Sequence, residues 1–351
     1  MNIKAIARRP AKVICLGEIL FDCLADELGK SVSEVASWTS YPGGAPANVA
    51  CALSKLGTSS AFIGCVGKDR EGQELVQLLQ SIGVDISGIQ YHDRAPTRQV
   101  YVTRTDEGDR IFAGFGERPR ADVRRKGTRE LGNRQADEFA DAYLQADLLP
   151  RELFLEAEYL VFGTLELAYP KSRAAVFRAL ELAVEHHLKI ILDVNWRPMF
   201  WLDEAEAPDL ISKLWQYVDF LKLAEEEAQW LFNTADAKAI FYHLDSVEGV
   251  LVSNGDAEVS YCLCDNNGTV EPPQVSVKET TGAGDAFIAG FTHQLCQQGI
   301  SQLSQPQTAQ EMVRYACVVG GLTTTKSGAI SAQPSPAEVE ALLSKVRSGK
   351  Y

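Results

Sequence analysis

Long hydrophobic runs are missing from this sequence. The first apolar stretch, Val13 to Leu20, is short and broken by Glu18, so neither a membrane span nor a leader after the basic stretch Met1 to Lys12 is expected. Histidine is scarce: five residues without ligand spacing argue against a zinc centre. The eight cysteines never form a C-x2-C pair and sit mostly in apolar segments, which predicts buried thiols in a reducing cytoplasm. Positive charge is in deficit as well. With 34 Lys and Arg against 47 Asp and Glu, the formal net charge of −13 repels a nucleic-acid backbone, and any anionic ligand must be gripped locally. There is no G-x-x-x-x-G-K-[ST], and Gly282-x-Gly284-x-x-Phe287 lacks the third small residue of a dinucleotide fingerprint. About 20 residues further on, where such a fingerprint needs a ribose-binding acid, the chain reads Ile300-Ser301-Gln302-Leu303. A P-loop fold and a Rossmann dehydrogenase both lose support.

What is present is a rhythm. Short apolar runs at Val13 to Leu16, Ala61 to Val66, Tyr159 to Phe162, Ile190 to Val194, Phe220 to Leu223 and Val250 to Ser253 read as buried strands. Between them, Ala47 to Leu56 and Asp69 to Ile82 read as helices stopped by Gly57 and Gly83, and Lys171 to His187 has helical periodicity. Repeated strand–helix units predict an α/β protein, doubly wound, with a mostly parallel sheet covered by helices on both faces. Two segments, Gln99 to Arg104 and Arg110 to Phe115, alternate around Glu107-Gly108-Asp109 and predict a hairpin in a small β appendage, with Phe21 to Trp38 supplying its other strands.

The chemistry concentrates in Thr280-Thr281-Gly282-Ala283-Gly284-Asp285, placed after a β-like run at Val275 to Val277 and opening a helix that ends near Gln298. Small side chains let the backbone N–H groups of Gly282, Ala283 and Gly284 converge on an anion, and the helix dipole adds positive charge there. Helix capping alone would also place an Asp in this first turn. A carboxylate beside an anion-binding turn is nevertheless awkward unless it works there, and removing a proton from an attacking hydroxyl is work it can do.

With these residues in view, the chain resembles the ribokinase-like (PfkB) carbohydrate kinases, and among them most closely the fructokinases. The resemblance runs almost end to end. It rests on Gly17-Glu18-Ile19-Leu20-Phe21-Asp22, Pro42-Gly43-Gly44-Ala45-Pro46-Ala47-Asn48, Gly64-Cys65-Val66-Gly67-Lys68-Asp69 with Gly72, Asp193-Val194-Asn195-Trp196-Arg197-Pro198, Thr281 to Phe287, and Thr323 to Ile330 with Pro334.

The resemblance implies one kinase domain over 11–351 after a tail at 1–10. Within it, a β-sheet lid comes from about 18–41 and 97–115. It implies transfer of the γ-phosphoryl group of ATP to a sugar, fructose first, with Asp285 as general base and Mg2+ as cofactor; K+ is a further candidate. Asp22, Gly43, Gly44 and Asn48 would hold the sugar, although Asn48 is also a suitable helix N-cap. Glu166, where fructokinases tend to show serine, suits the ribokinase branch. Arg197 would pair with phosphate oxygens, the alternative being a structural ion pair. ATP would lie against Asn195, Lys222, Glu227, Ser253, Gly255, Thr281, Gly282, Gly284 and Ala329, with Glu227 touching the metal through water. Two positions depart from the pattern: Ala224 replaces an Asn or Ser, and Glu258 a glycine. A homodimer through the lid is expected, and partners other than sugar and ATP, such as nucleic acid or membrane, are not.

Between Phe115 and Ala140 the chain carries roughly 20 residues beyond what the motif spacing needs, which marks 116–139 as an inserted loop. Its arginines, from Arg118 to Arg134, read either as a solvated loop or as an accessory site for an anionic regulator. Rival readings are a ribokinase, a nucleoside kinase, a 2-keto-3-deoxygluconate kinase, or a catalytically silent relative that keeps the fold.

Overall fold

The computed structural model describes residues 10–105, 110–116 and 135–348. The expected tail up to Arg9, the hairpin turn at Glu107-Gly108-Asp109 and the arginine cluster from Arg118 to Arg134 lie outside the described residues.

The strands are β1 (Val13–Leu16), β2 (Leu20–Ala25), β3 (Trp38–Gly43), β4 (Ser60–Gly67), β5 (Asp85–His92), β6 (Gln99–Arg104), β7 (Arg110–Gly116), β8 (Tyr159–Phe162), β9 (Lys189–Asp193), β10 (Phe220–Ala224), β11 (Gly249–Ser253), β12 (Val259–Leu263) and β13 (Asn266–Val270). They form a large sheet in the order β13-β12-β11-β10-β9-β8-β1-β4-β5 and a small one in the order β3-β2-β6-β7. From β5 to β11 every neighbouring pair of the large sheet is parallel, while β12 and β13 turn back antiparallel at one edge. Its central strands β1 and β8 are apolar along their length because helices cover both faces: Ile14, Leu16, Leu160 and Phe162 join one core, and Val13, Cys15, Tyr159 and Val161 the other.

The helices Ala45–Leu56 and Arg70–Ile82 end on left-handed Gly57 and Gly83, whose N–H groups satisfy the last carbonyls, as expected. Asp69 caps the second helix by accepting from Gly72 N at 2.8 Å. The same carboxylate accepts from Thr97 N at 2.7 Å and Thr97 Oγ1 at 2.6 Å, so it ties the helix start to the chain entering β6. All eight cysteines are free thiols.

Two expectations shift. Val275 to Val277 is not a strand; Pro272 and Pro273 just before it cannot donate to a ladder, and regular structure stops at Val270. The expected inserted loop is also shorter at its far end, because Ala136 and Phe139 are already buried in the core.

The small sheet is mixed: β2 pairs antiparallel with β3, β6 with β7, and β2 parallel with β6. The chain leaves the large sheet for it at the carboxyl end of β1. There β1 is flanked by β4 on one side and β8 on the other, so the strand order reverses and a crevice opens between the loops after β1 and β8. Glu18 lies in the first loop and Glu166 in the second.

Candidate active site

The glycine turn forms as expected, at the start of the helix Ala283–Gln298. Gly282 is its N-cap in the left-handed region (φ 77°), and a Cβ there would stand 2.8 Å from the Ala329 Cβ, so only glycine lets the turn sit against the Ala329–Ala332 helix. Of the three amides expected to face an anion, that of Ala283 donates instead to Thr280 O at 3.2 Å, which leaves the role to Gly282 and Gly284.

Asp285 is half-buried in the first helical turn, and its Oδ2 accepts from Asn48 Nδ2 at 2.7 Å. Burial pushes the Asp285 carboxyl up to about 6; the Asn48 donor opposes this, the Asp193 charge adds to it, and Arg197 and Lys222 oppose it. Asn48 stands inside the helix Ala45–Leu56 rather than at its cap, which is Gly44. Its Oδ1 is buried and has no hydrogen-bond partner among the described residues, which leaves an open acceptor on the side chain that holds the carboxylate.

A Cβ on Gly284 would stand 3.2 Å from Lys222 Nζ, so the ammonium lies against the turn. Lys222 is buried in β10 and donates to Asp193 Oδ1 at 3.0 Å. Burial alone would pull the lysine down, but Asp193 and Glu227 outweigh it and keep the ammonium charged.

Among the residues expected to hold the sugar, a Cβ on Gly43 would stand 2.6 Å from Asp22 Oδ2, placing that carboxylate against the glycine strap. Gly44 (φ 105°) has a second reason to be glycine: a Cβ would stand 2.4 Å from Glu18 O. Glu18, buried, accepts from Ala45 N at 2.6 Å and holds the strap from below. Burial pushes the Glu18 carboxyl up to about 8, with the Asp285 and Asp141 charges acting the same way. Glu166 is buried in the turn Leu165–Ala168, and its carboxyl is likewise raised by burial and by Glu18 and Asp141.

The loop after β9 carries Asn195 in a left-handed conformation (φ 42°) and the exposed Arg197, whose Nη1 donates to Trp196 O at 2.9 Å. No carboxylate pairs with Arg197 among the described residues, so its expected structural alternative is not realised. Glu227 braces this loop by accepting from Trp196 N at 2.6 Å and from Ala224 N at 2.7 Å. A cavity of about 590 Å³ opens alongside, lined by Trp196, Arg197, Ala224, Glu226, Glu227 and Trp230 among others. Asp285, Asn48 and Asp22 are not among its walls, so it meets the site through Arg197 and Glu227. Ser253 ends β11 and donates to Leu223 O at 3.4 Å, while Gly255 (φ 53°) and Glu258 are exposed in the turn before β12.

Among the described residues no group of three or more His, Cys, Asp or Glu is arranged to hold a metal ion by itself. Mg2+ suits such a site all the same, because it keeps several waters and leans on substrate phosphates. Asp193 and Glu227 both act on Lys222, and Glu227, with each oxygen already taking one N–H, can accept further from water.

A glycine-built helix start, a carboxylate in its first turn and a charged lysine against the same turn suit a phosphotransferase acting on a hydroxyl. The chain belongs to the pfkB family of carbohydrate kinases, whose model matches residues 10–126 and 121–336. It is 32% identical over 336 residues to fructokinase-1 of Zea mays, covering 95% of this chain and 98% of that one. It superposes with a TM-score of 0.82 on a fructokinase with bound ATP from Xylella fastidiosa, 27% identical, covering 96% of this chain and 99% of the other. A fructokinase double mutant from Vibrio cholerae O395 in fructose, ADP and potassium ion bound form superposes with a TM-score of 0.77 at 26% identity, covering 96% and 100%.

Sequence reasoning gave no role to Asp193, Glu18 or Arg98. Glu18 had left a signal, an acid interrupting an apolar run; Asp193 had left another, an acid closing a buried strand two residues before Asn195.

Proposed function

We propose that this chain transfers the γ-phosphoryl group of ATP to D-fructose, giving fructose 6-phosphate. The observation that carries it is Asp285, held at 2.7 Å by Asn48 in the first turn of a helix whose glycines lie against Lys222. Asp22, the Gly43-Gly44 strap, Asn48 and Glu166 grip the acceptor. Asp285 takes the proton of the attacking hydroxyl, the sugar oxygen bonds to the γ-phosphorus, and the bond from that phosphorus to the bridging oxygen of ADP breaks. The amides of Gly282 and Gly284, Lys222 and Arg197 meet the charge on the transferring group. Glu227 and Asp193 would hold Mg2+ through water, and the metal would supply charge neutralisation on the phosphates. K+ enters the proposal from the Vibrio cholerae relative, which was seen with it.

The small sheet acts as a lid, since β2 carries Asp22 and β3 ends on Gly43. Closing it excludes water that would otherwise compete for the phosphoryl group. The free cysteines favour a reducing cytoplasm, and no helix among the described residues is long and apolar enough to cross a membrane. The net charge of −13 disfavours nucleic acid as a partner.

The test is ADP release with ATP and Mg2+ across fructose, ribose, glucose, 2-keto-3-deoxygluconate and adenosine. Fructose should give the highest kcat/KM; ribose or adenosine ahead by about tenfold would move the acceptor to the ribokinase branch, the reading Glu166 favours. No ADP release with any acceptor would leave a silent relative.

A further inference from the structure

Beneath the crevice between β1 and β8 lies a group of buried charges that phosphoryl transfer does not itself use. Arg98, the residue before β6, is fully buried. Its Nε and Nη2 grip Asp141 at 2.5 and 2.8 Å, and Nη2 also donates to Ala136 O at 2.8 Å and the Tyr169 hydroxyl at 3.1 Å. The rings of Phe115, Phe139, Tyr169 and Phe200 enclose the guanidinium, with centroids 4.7 to 5.4 Å from its carbon. Nη1 is buried with no hydrogen-bond partner among the described residues.

Stability alone does not explain this arrangement, because apolar side chains of the same volume generally serve a core as well as a buried ion pair does. Tyr169 points to another role. It closes the turn Leu165–Ala168 that carries Glu166, and Ser172 Oγ staples the same turn by donating to Glu166 O at 2.8 Å. Three groups from different elements act on the Glu166 carboxyl: Glu18, Asp141 and the positively charged Arg98. Burial, Glu18 and Asp141 favour a proton on Glu166 and outweigh Arg98, which favours the carboxylate.

We propose that Arg98 is a positioning residue for the acceptor site: anchored on Asp141 and Tyr169, it fixes the turn that presents Glu166 to a sugar hydroxyl. The inference rests on the sugar-kinase reading, with Glu166 facing the acceptor. It makes Arg98 a determinant of sugar affinity and selectivity with no contact to ATP.

The test pairs R98M/D141L, which replaces the ion pair by apolar volume and avoids a stranded buried charge, with E166Q and the combined triple variant. The expected result is a sugar KM raised roughly 3- to 10-fold in R98M/D141L and in E166Q, the worth of one hydrogen bond, with ATP KM moving less than about twofold. The triple variant should be no worse than E166Q alone, since both changes remove one interaction. An unmoved sugar KM in a folded R98M/D141L or in E166Q overturns the inference, as do additive losses in the triple variant. Should R98M/D141L fail to fold, Arg98→Lys, which keeps the charge and loses the fork on Asp141, takes its place under the KM criteria. Wild-type turnover on fructose, ribose and glucose in the same series separates the failures. No turnover on any sugar overturns the kinase reading and the inference with it; normal turnover with unmoved KM values overturns the inference alone.

Discussion

Asp285 shows what one side chain can carry and how far a sequence discloses it. Its place in the first turn after two glycines was legible, and so was the choice between capping and base chemistry. Its neighbours were not, because Asn48 is 237 residues away in sequence and Lys222 and Asp193 come from two other strands. As a base, Asp285→Asn should cut kcat by ~10²–10⁴ with sugar and ATP affinities within a few fold, and steady-state kinetics on both substrates check it. The wild-type kcat should fall as pH drops through about 6, because the protonated carboxyl cannot take a proton from the hydroxyl. The same raised pKa bears on stability. The folded state holds the proton more tightly than the unfolded chain, so the group costs nothing below about 3.8 and its full penalty, on the order of 3 kcal/mol, applies above about 6. Asp285→Asn should therefore melt at a higher temperature than wild type at pH 8, with the gap closing by pH 4; thermal melts at both values settle the sign.

At the scale of elements, strands and helices were read correctly wherever apolar period and glycine stop agreed, as in Ala45–Leu56 and Arg70–Ile82. The misreading at Val275 to Val277 came from trusting β-branched residues over the Pro272-Pro273 pair that precedes them. The motif around Asp69 was visible, but its task, fastening the start of β6 through Thr97, depends on a contact 28 residues away. Glycines separate into two kinds by the same logic. At Gly282 a side chain meets both a left-handed backbone and Ala329, whereas at Gly57 (φ 94°) it meets open space. Gly282→Val should depress kcat ~10-fold or more by displacing amides aimed at the transferring group. Gly57→Ala should cost only ~1–2 kcal/mol of stability and leave kcat unchanged. Parallel melts and turnover measurements distinguish them, and equal kinetic losses would remove the special role of the turn.

For the whole molecule, the alternation of apolar runs and helices was enough to define the large sheet, and hairpin grammar enough to place β6 and β7. The buried charges at the switch point were not readable, since Arg98 and Asp141 meet only because the small sheet docks onto the body. Among the described residues, that docking leaves β7 as an edge strand with Ile111 51% and Phe112 37% exposed. An open edge bearing apolar side chains invites pairing with another edge, and a second copy of the chain offers the same surface in a two-fold arrangement. The homodimer through the lid that the family resemblance implies would bury these residues and hold each small sheet over its own crevice. Ile111→Lys puts a charge on that edge, so it should convert the dimer to a monomer in light-scattering measurements. The sugar KM should rise with it, because the sheet that carries Asp22 loses its support, while the melting temperature should change little at so exposed a position. A wild-type chain that is monomeric at the concentrations used for kinetics would rule out this arrangement, and the place of Asp22 would then rest on contacts within one chain, the β2 pairings with β3 and β6 among them.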